Sequence, residues 1–248
     1  MLGELIINDV YKQKRSMLIF MIIAIPVFTS MLLLIDFGIR YESYLYPLAV
    51  QKGITSWQML LLEQKMVFFK EYLPLFGAII ISSLFDNEYK NNGWTLSLAH
   101  PVSREKVVIS KFIASLSFMT IMLLVNILSL ILVGKIMDFP EAIDGMYFVK
   151  MFFIQLISVA SVMTIHLFIT IKNKNTLKSI WIAAILSIVS SQVFYRGETL
   201  SKYNPYSFSS FSDGLAPTNL RLQIIMSVVL IIIGLLSTLI YFNKKESY

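Results

Sequence analysis

Six long blocks of residues that contain no Lys, Arg, Asp or Glu constrain this chain more than any other feature of its sequence. About 18 or more such apolar residues can cross the hydrocarbon core of a bilayer as a helix. A strand would alternate in polarity and would leave backbone groups unpaired in lipid, so the blocks must be helical. We therefore predict an all-α integral membrane protein with six transmembrane helices, at about residues 16–35, 66–85, 112–134, 151–171, 179–195 and 222–243.

The second of these spans includes two charged residues. Its charge-free part covers only residues 72–85, and a helix of the required length takes in Lys70 and Glu71. Long charged side chains can reach the headgroups from the end of a span, so we expect both residues at the interface. The six spans then form a single transmembrane domain over residues 1–248.

The composition agrees with a membrane protein. Hydrophobic residues make up 56% of the chain and charged residues 15%, where a soluble domain has about a quarter of its residues charged. The chain has no Cys, which excludes disulfides, thiolate metal sites and thiol nucleophiles. The first block is followed by no small-residue cleavage site, so we expect it to be retained as a span and not removed as a signal peptide.

The cations predict the orientation. With the N-terminus in the cytoplasm, the inner segments hold 12 of the 21 Lys and Arg residues and only 6 of the 15 acids; these segments are 1–15, 86–111, 172–178 and 243–248. Because Lys and Arg favour cytoplasmic loops, we predict that both termini are cytoplasmic. Anionic lipid at about 1 kcal/mol per cation explains the basic balance, and with no nucleic-acid-binding motif we expect no nucleic acid partner.

Two segments outside the spans have a recognisable character. Residues 1–15 carry an apolar stripe at helical spacing, which predicts a short amphipathic elbow helix lying in the inner interface; the stripe is Leu2, Leu5, Ile6 and Val10. Segment 36–65 is long and aromatic, and we expect it to be an external loop whose Tyr and Trp residues, Trp57 among them, lie in the headgroup layer.

The longest inner segment, 86–111, predicts a short helix outside the bilayer. Asn92 and Gly93 form a break that can adopt positive φ cheaply. A helix of one or two turns follows, and Pro101 ends it. Ser103 is then a good N-cap for the third span. The short helix presents three apolar side chains, Trp94, Leu96 and Leu98, so it needs a partner, either lipid or protein.

The same residues resemble the conserved cytoplasmic loop of ABC-2 type transporter permeases. The resemblance is carried by Glu88, Asn92-Gly93-Trp94-Thr95, Leu96, Leu98, Pro101-Val102-Ser103-Arg104 and Lys111. It is closest to the bacterial branch of lantibiotic-immunity permeases and exporters of cytolytic peptides. One departure is Trp94, which separates Gly93 from Thr95 where many members have Gly and Thr adjacent. The elbow helix, the six spans and a structured loop between the last two spans extend the resemblance over the whole chain.

The resemblance implies a permease that pairs with a second permease subunit, identical or paralogous, and with two ATPase subunits. ATP and Mg would be bound by those ATPases, because this chain lacks a phosphate-binding loop and is expected to bind no cofactor itself. The loop between spans two and three would be the coupling helix. On this basis we assign ATPase coupling to Glu88, Asn92, Gly93, Trp94, Thr95, Leu96, Leu98, Pro101 and Arg104.

Four polar residues lie at membrane depth in the predicted spans. They are Asn126, Gln155, His166 and Gln192. Each can serve as an interhelical hydrogen bond worth about 0.6–2 kcal/mol, which is the simpler interpretation, or can line the substrate path. For His166 the simpler interpretation is a neutral imidazole bonded to a neighbouring helix or to water near the inner end.

Other function classes have less support. An intramembrane enzyme would need a Gly-x-Ser-x-Gly, a His-Glu-x-x-His or a pair of carboxylates within the spans, and the sequence has none, so we expect no catalytic and no metal site. The sequence favours a permease that exports hydrophobic or amphipathic peptides, such as a bacteriocin, a lantibiotic or a cytolytic toxin, from a bacterial cell for secretion or self-immunity. Export of another apolar compound such as an antibiotic, and a scaffold or sensor subunit without transport, remain alternatives.

Overall fold

The computed structural model describes residues 2–14, 16–90, 103–214 and 219–244, which contain helices and turns and no strand. The α-helices are α1 Leu2–Lys12, α2 Met17–Arg40, α3 Tyr46–Lys52, α4 Ser56–Glu63, α5 Phe69–Lys90, α6 Arg104–Ile136, α7 Gly145–Asn173, α8 Thr176–Arg196, α9 Glu198–Ser201 and α10 Leu220–Lys244. A π-helical turn covers Tyr41–Leu45, and 3₁₀ helices cover Gln64–Val67 and Pro205–Phe211.

The described helices include five segments long and apolar enough to cross a membrane, and six when one bent pair counts as a span. The bent pair joins Ser56–Val67 to Phe69–Asp86 at an angle of 59°. The predicted fold class, an all-helical membrane protein, is confirmed. The observed helices extend beyond the predicted spans at most ends, because a helix continues into the headgroup region until a cap or a turn stops it.

Polar side chains begin several of the long helices. The Ser16 hydroxyl accepts from the Leu18 N–H at 3.3 Å, and the Asp144 carboxylate accepts from the Tyr147 N–H at 3.1 Å. Asn175 caps α8 in the same way through the Lys178 N–H. Ser103 occupies the cap position of α6, as expected, but its side chain makes no capping hydrogen bond.

Successive long helices run in alternating directions, so both ends of the bundle collect helix termini. One end, called here the α1 end, carries α1, the start of α2 and the end of α5. Close packing holds the bundle: a Cβ built on Gly77 in α5 would lie 2.7 Å from Val159 Cγ1 in α7, and one on Gly234 in α10 would lie 2.4 Å from the Thr164 hydroxyl. Such small residues let membrane helices approach closely.

The bend at Phe68 corrects the expectation for the second span. Phe68 has a φ of 53°, which is costly for a bulky residue and turns the chain between the 3₁₀ helix and α5. As a result the start of α5 points into the protein. Lys70 and Glu71 are each only 2% exposed, so the expectation that they reach the headgroups is wrong.

Segment 36–65 is also more ordered than an external loop. Most of it is helical, from the end of α2 through α3 and α4. Trp57 is buried in the protein and not exposed to headgroups: it is 6% exposed, and its indole N–H donates to the Glu141 carbonyl at 2.9 Å. Trp57 therefore belongs to the core, where it packs against Phe139 and Phe148, whereas Tyr44 and Tyr46 of the same segment are exposed.

The segment between α8 and α10 turns back into the bundle. Its 3₁₀ helix, Pro205–Phe211, packs against α5, α7 and α8, and residues 206–213 are all buried. Backbone without α-helical hydrogen bonds is tolerated at membrane depth only where protein or a water-filled cavity surrounds it. We call this stretch, residues 205–213, the inserted segment.

Candidate coupling site at the α1 end

A buried lysine at the α1 end joins three helices. The Lys111 ammonium in α6 lies 2.9 Å from Asp9 Oδ1 in α1 and 3.0 Å from Glu88 Oε1 in α5. It also donates to the Leu84 carbonyl at 3.0 Å. Lys111 is 1% exposed, so a charge with such low access to water depends on these three acceptors. We call Asp9, Lys12, Glu88, Ser110 and Lys111 the Lys111 cluster.

Glu88 pairs with two lysines. Its Oε1 accepts from Lys12 in α1 as well as from Lys111, both at 3.0 Å. Burial by itself raises the pKa of the Glu88 carboxyl, but the two lysines outweigh that effect and hold the pKa below its ordinary value. Glu88 is therefore a carboxylate that fixes the last turns of α5 to both α1 and α6.

Asp9 attaches α1 to the bundle. It is 7% exposed, and its second oxygen accepts from the Ser110 hydroxyl at 2.8 Å. Asp9 and Lys12 were not among the predicted site residues. The sequence did contain a signal: Asp9 stands within the apolar stripe of α1, one position before Val10, where a solvated acid is out of place. An acid on the buried face of a surface helix indicates a buried cation.

A second set of contacts ties the beginning of α6 to the end of α10. Arg104 donates to the Phe242 carbonyl at 3.5 Å, and Asn243 donates to the Glu105 carboxylate at 2.7 Å. Arg104, a predicted coupling residue, therefore lies beside the C-terminal end of the last span. The two helix ends that flank residues 91–102 in the sequence thus both make polar contacts, at Glu88 in α5 and at Arg104 and Glu105 in α6.

Of the nine predicted coupling residues, two lie within the described residues, Glu88 and Arg104. The other seven fall outside them: Asn92, Gly93, Trp94, Thr95, Leu96, Leu98 and Pro101. The two that are described flank residues 91–102 in the sequence. Glu88 lies in the last turn of α5, which ends at Lys90, and Arg104 is the first residue of α6.

The four polar residues predicted at membrane depth are not brought together. Asn126 is buried and accepts from Gln64 at 3.1 Å. Gln155 and His166, both in α7 and both buried, contact the inserted segment instead. Gln192 is exposed on α8. Asn126, Gln155 and His166 are thus buried within the described residues, whereas Gln192 is exposed.

The surroundings of His166 agree with the simpler interpretation, an imidazole that is bonded to a neighbouring helix. One ring nitrogen lies 3.0 Å from the Ser179 hydroxyl at the start of α8, and the other lies 2.6 Å from the Tyr206 hydroxyl of the inserted segment. Gln155 donates to the Ser212 hydroxyl at 3.0 Å. Both residues therefore hold the inserted segment against α7.

A second buried charge cluster lies in the other half of the bundle. The Lys70 ammonium lies 2.5 Å from Asp213 Oδ2 and donates to the Leu61 carbonyl at 3.0 Å. The neighbouring Glu71 accepts from the Tyr195 hydroxyl at 3.1 Å. We call these residues, Lys70, Glu71, Tyr195 and Asp213, the Lys70 cluster. It fixes the inserted segment to the bent start of α5, and no sequence motif had indicated it.

Comparison with known proteins identifies the family. A family model described as an ABC-2 family transporter protein matches residues 5–190, well over half of the 248 residues. The chain belongs to the ABC-2 family. Every member of the Lys111 cluster lies within the matched residues, whereas Asp213 lies beyond them. A search of the curated proteins found no match. ABC-2 membership makes the chain a multi-pass permease subunit and implies an ABC ATPase partner.

Proposed function

We propose that this ABC-2 permease is the transmembrane subunit of an ATP-driven exporter of hydrophobic or amphipathic peptides, with its α1 end in the cytoplasm. The observation that carries the coupling part of this proposal is the Lys111 cluster. It joins the helix before the 91–102 segment, the helix after it, and the elbow helix α1 through buried ion pairs. A displacement of that segment by an ATPase would reach all three helices together.

The coupling step follows from the contacts at the two ends of the segment. Closure of two ATPase subunits on ATP would move the helix that carries Trp94, Leu96 and Leu98. Because Glu88 and Lys111 are paired at 3.0 Å, α5 and α6 would tilt as a unit and not separate. Asp9 would carry the same movement into α1. The ATP and Mg belong to the ATPase subunits.

The cargo class is inferred from the side chains that the membrane-spanning helices leave accessible to a ligand. The charges described at membrane depth are engaged internally, Lys70 by Asp213 and Glu71 by Tyr195. What remains accessible is largely apolar, with isolated neutral polar groups such as Gln192 on α8, flanked by the exposed Ile188 and Val189. Such a surface suits an amphipathic peptide better than a sugar or an amino acid. A lantibiotic or cytolytic peptide fits this class.

The coupling proposal is tested by removing the apolar anchors of the predicted coupling helix. In the double variant Trp94→Ala with Leu98→Ala we expect normal insertion and loss of ATPase association, since each large side chain contributes about 1.5–3 kcal/mol when buried. The matched control is Leu177→Ala with Trp181→Ala. It removes a Leu and a Trp that are also four residues apart and that are exposed on α8. Co-purification of the ATPase with the first variant as well as with the control would contradict the proposal.

The cargo is tested with the reconstituted permease and its ATPase. We expect amphipathic peptides to stimulate ATP hydrolysis and sugars to leave it unchanged. Gln192→Leu should alter the peptide concentration that gives half-maximal stimulation. Stimulation by antibiotics but not by peptides would favour the alternative apolar cargo. A stable complex with neither stimulation nor transport for any compound would favour a scaffold or sensor subunit.

A further inference from the structure

Two apolar grooves run along α2 from the α1 end and share two residues. One, of about 480 Å³, is lined by one face of α2 and begins at Lys14 and Ser16. The other, of about 300 Å³, lies between α2 and α5. Phe20 and Ala24 border both grooves, so the grooves pass on either side of the same ridge. The two grooves therefore start beside one another and extend in the same direction.

The length of the first groove matches one leaflet of a bilayer. It extends from Ser16, the N-cap of α2, to Val27, which is eleven residues further along the helix. At 1.5 Å per residue this is about 16 Å. The hydrocarbon core of a bilayer is about 30 Å thick, so one leaflet contributes about 15 Å. An acyl chain that enters at the α1 end would fill the groove and end near the bilayer centre.

The groove mouth carries a positive charge that an anionic ligand can reach. The Lys14 side chain is exposed, with its ammonium 5.3 Å from the centre of the Tyr11 ring, and no carboxylate contacts it among the described residues. Lys12, by contrast, is engaged by Glu88. Tyr11 is 68% exposed, and such a Tyr suits the headgroup layer. A ligand for this site has an anionic group at one end and an apolar body one leaflet long.

We propose that α1 and α2 form a binding site for an anionic phospholipid of the leaflet at the α1 end. The phosphate would pair with Lys14, and the two acyl chains would lie in the two grooves on either side of Phe20. A second copy of this chain would bring an apolar helix to the same face, but it would also have to bring a carboxylate to Lys14. The lipid supplies both the charge and the length. The site would hold the elbow helix at the level of the headgroups.

The experiment compares retention of phosphatidylglycerol and phosphatidylcholine with identical acyl chains on the full-length purified protein, measured by native mass spectrometry. The unaltered protein should prefer phosphatidylglycerol. Lys14→Gln should weaken phosphatidylglycerol retention roughly fivefold and leave phosphatidylcholine retention unchanged, since one cation is worth about a factor of five at a membrane surface. Lys178→Gln, which removes an exposed cation from the start of α8, is the matched control and should weaken phosphatidylglycerol retention clearly less than Lys14→Gln does.

The grooves are tested separately. Ala24→Phe fills the wall that both grooves share and should lower retention of both lipids, whereas Ala184→Phe, at an equally half-buried position on α8, should not. Full phosphatidylglycerol preference in Lys14→Gln, or unchanged retention of both lipids in Ala24→Phe, would overturn the proposal. A monomer-to-dimer shift in Ala24→Phe without any change in lipid retention would also overturn it and would assign this face to a second copy.

Discussion

Two buried lysines, Lys111 at the α1 end and Lys70 in the other half of the bundle, make similar contacts for different purposes. Each donates to a backbone carbonyl at 3.0 Å and pairs with a carboxylate far away in the sequence. Lys111 connects α1 with the two helices that flank residues 91–102 in the sequence, and one of its neighbours, Lys12, is 37% exposed. Lys70 fixes an inserted segment from which water is largely excluded. The same chemistry therefore joins three helices in one place and attaches an inserted segment in the other.

The largest expected effect is at Lys70. Lys70→Met removes the Lys70 ammonium from the buried Asp213 carboxylate, and removal of one partner of a buried pair costs about 3–5 kcal/mol. We expect a large drop in the thermal unfolding midpoint of the purified protein. Lys65→Met, at an exposed neighbouring position, is the control and should have little effect.

The double variant Lys70→Met with Asp213→Leu sharpens this test. It replaces the pair by apolar side chains of similar size, which is often neutral. Most of the lost stability should return. A Lys70→Met protein that unfolds at the temperature of the unaltered protein would show that the ion pair is not what holds the inserted segment.

At the α1 end we expect a smaller and local effect. Asp9→Leu removes one acceptor of Lys111, but Lys111 keeps Glu88 and the Leu84 carbonyl. The cost of about 1–3 kcal/mol should fall on the docking of α1 and not on the bundle. Because the chain has no Cys, a single cysteine at Ile6 can report undocking by faster reaction with a maleimide. Asn8→Leu, an exposed neighbour of Asp9, is the control. Equal labelling rates in both variants would contradict a role for Asp9 in docking.

The pH dependence of stability tests the ion pairs of the Lys111 cluster. The pKa of Glu88 is lower in the folded protein than its ordinary value of 4.5. The stability that Glu88 contributes is therefore fully present above pH 4.5 and is lost as the pH falls through the folded-state pKa. The difference in unfolding midpoint between the unaltered protein and Glu88→Gln should be largest near neutral pH and should shrink below pH 4.5. A difference that stays constant down to low pH would argue against the ion pairs, and the exposed Glu42→Gln serves as control.

The smallest expected effect is at the exposed contact between α6 and α10. Asn243 donates to Glu105 at 2.7 Å, but the bond is exposed to solvent. Asn243→Ala should change the free energy of unfolding by no more than about 0.5 kcal/mol. A loss comparable to that of Asp9→Leu would mean that the end of α10 belongs to the same rigid unit as the Lys111 cluster.

The sequence was sufficient to predict the structural features that depend on the length of apolar blocks and on local residue patterns. The all-helical fold and the amphipathic helix at the N-terminus follow from apolar runs and a 3.6-residue period, and the structure contains both. It did not predict where Lys70 and Glu71 lie, because their partners Asp213 and Tyr195 are more than 120 residues away. The burial of Trp57 was not predicted either, because an aromatic side chain suits a headgroup layer and a core equally well. A local pattern cannot distinguish a charge that snorkels from one that is paired across the fold.

The position of Asp213 has a consequence for how the protein is made. Lys70 and Asp213 are separated by 143 residues, so at ~5–20 residues per second Lys70 is synthesised roughly 7 to 30 s before its partner. During that interval the span after Lys70 has a charge-free run of only 14 residues, 72–85, which is short for stable insertion by itself. We expect α5 to enter the membrane late, when the ribosome has delivered the inserted segment. Nascent chains arrested before residue 213 should leave residue 70 open to an impermeant reagent from which the finished protein shields it.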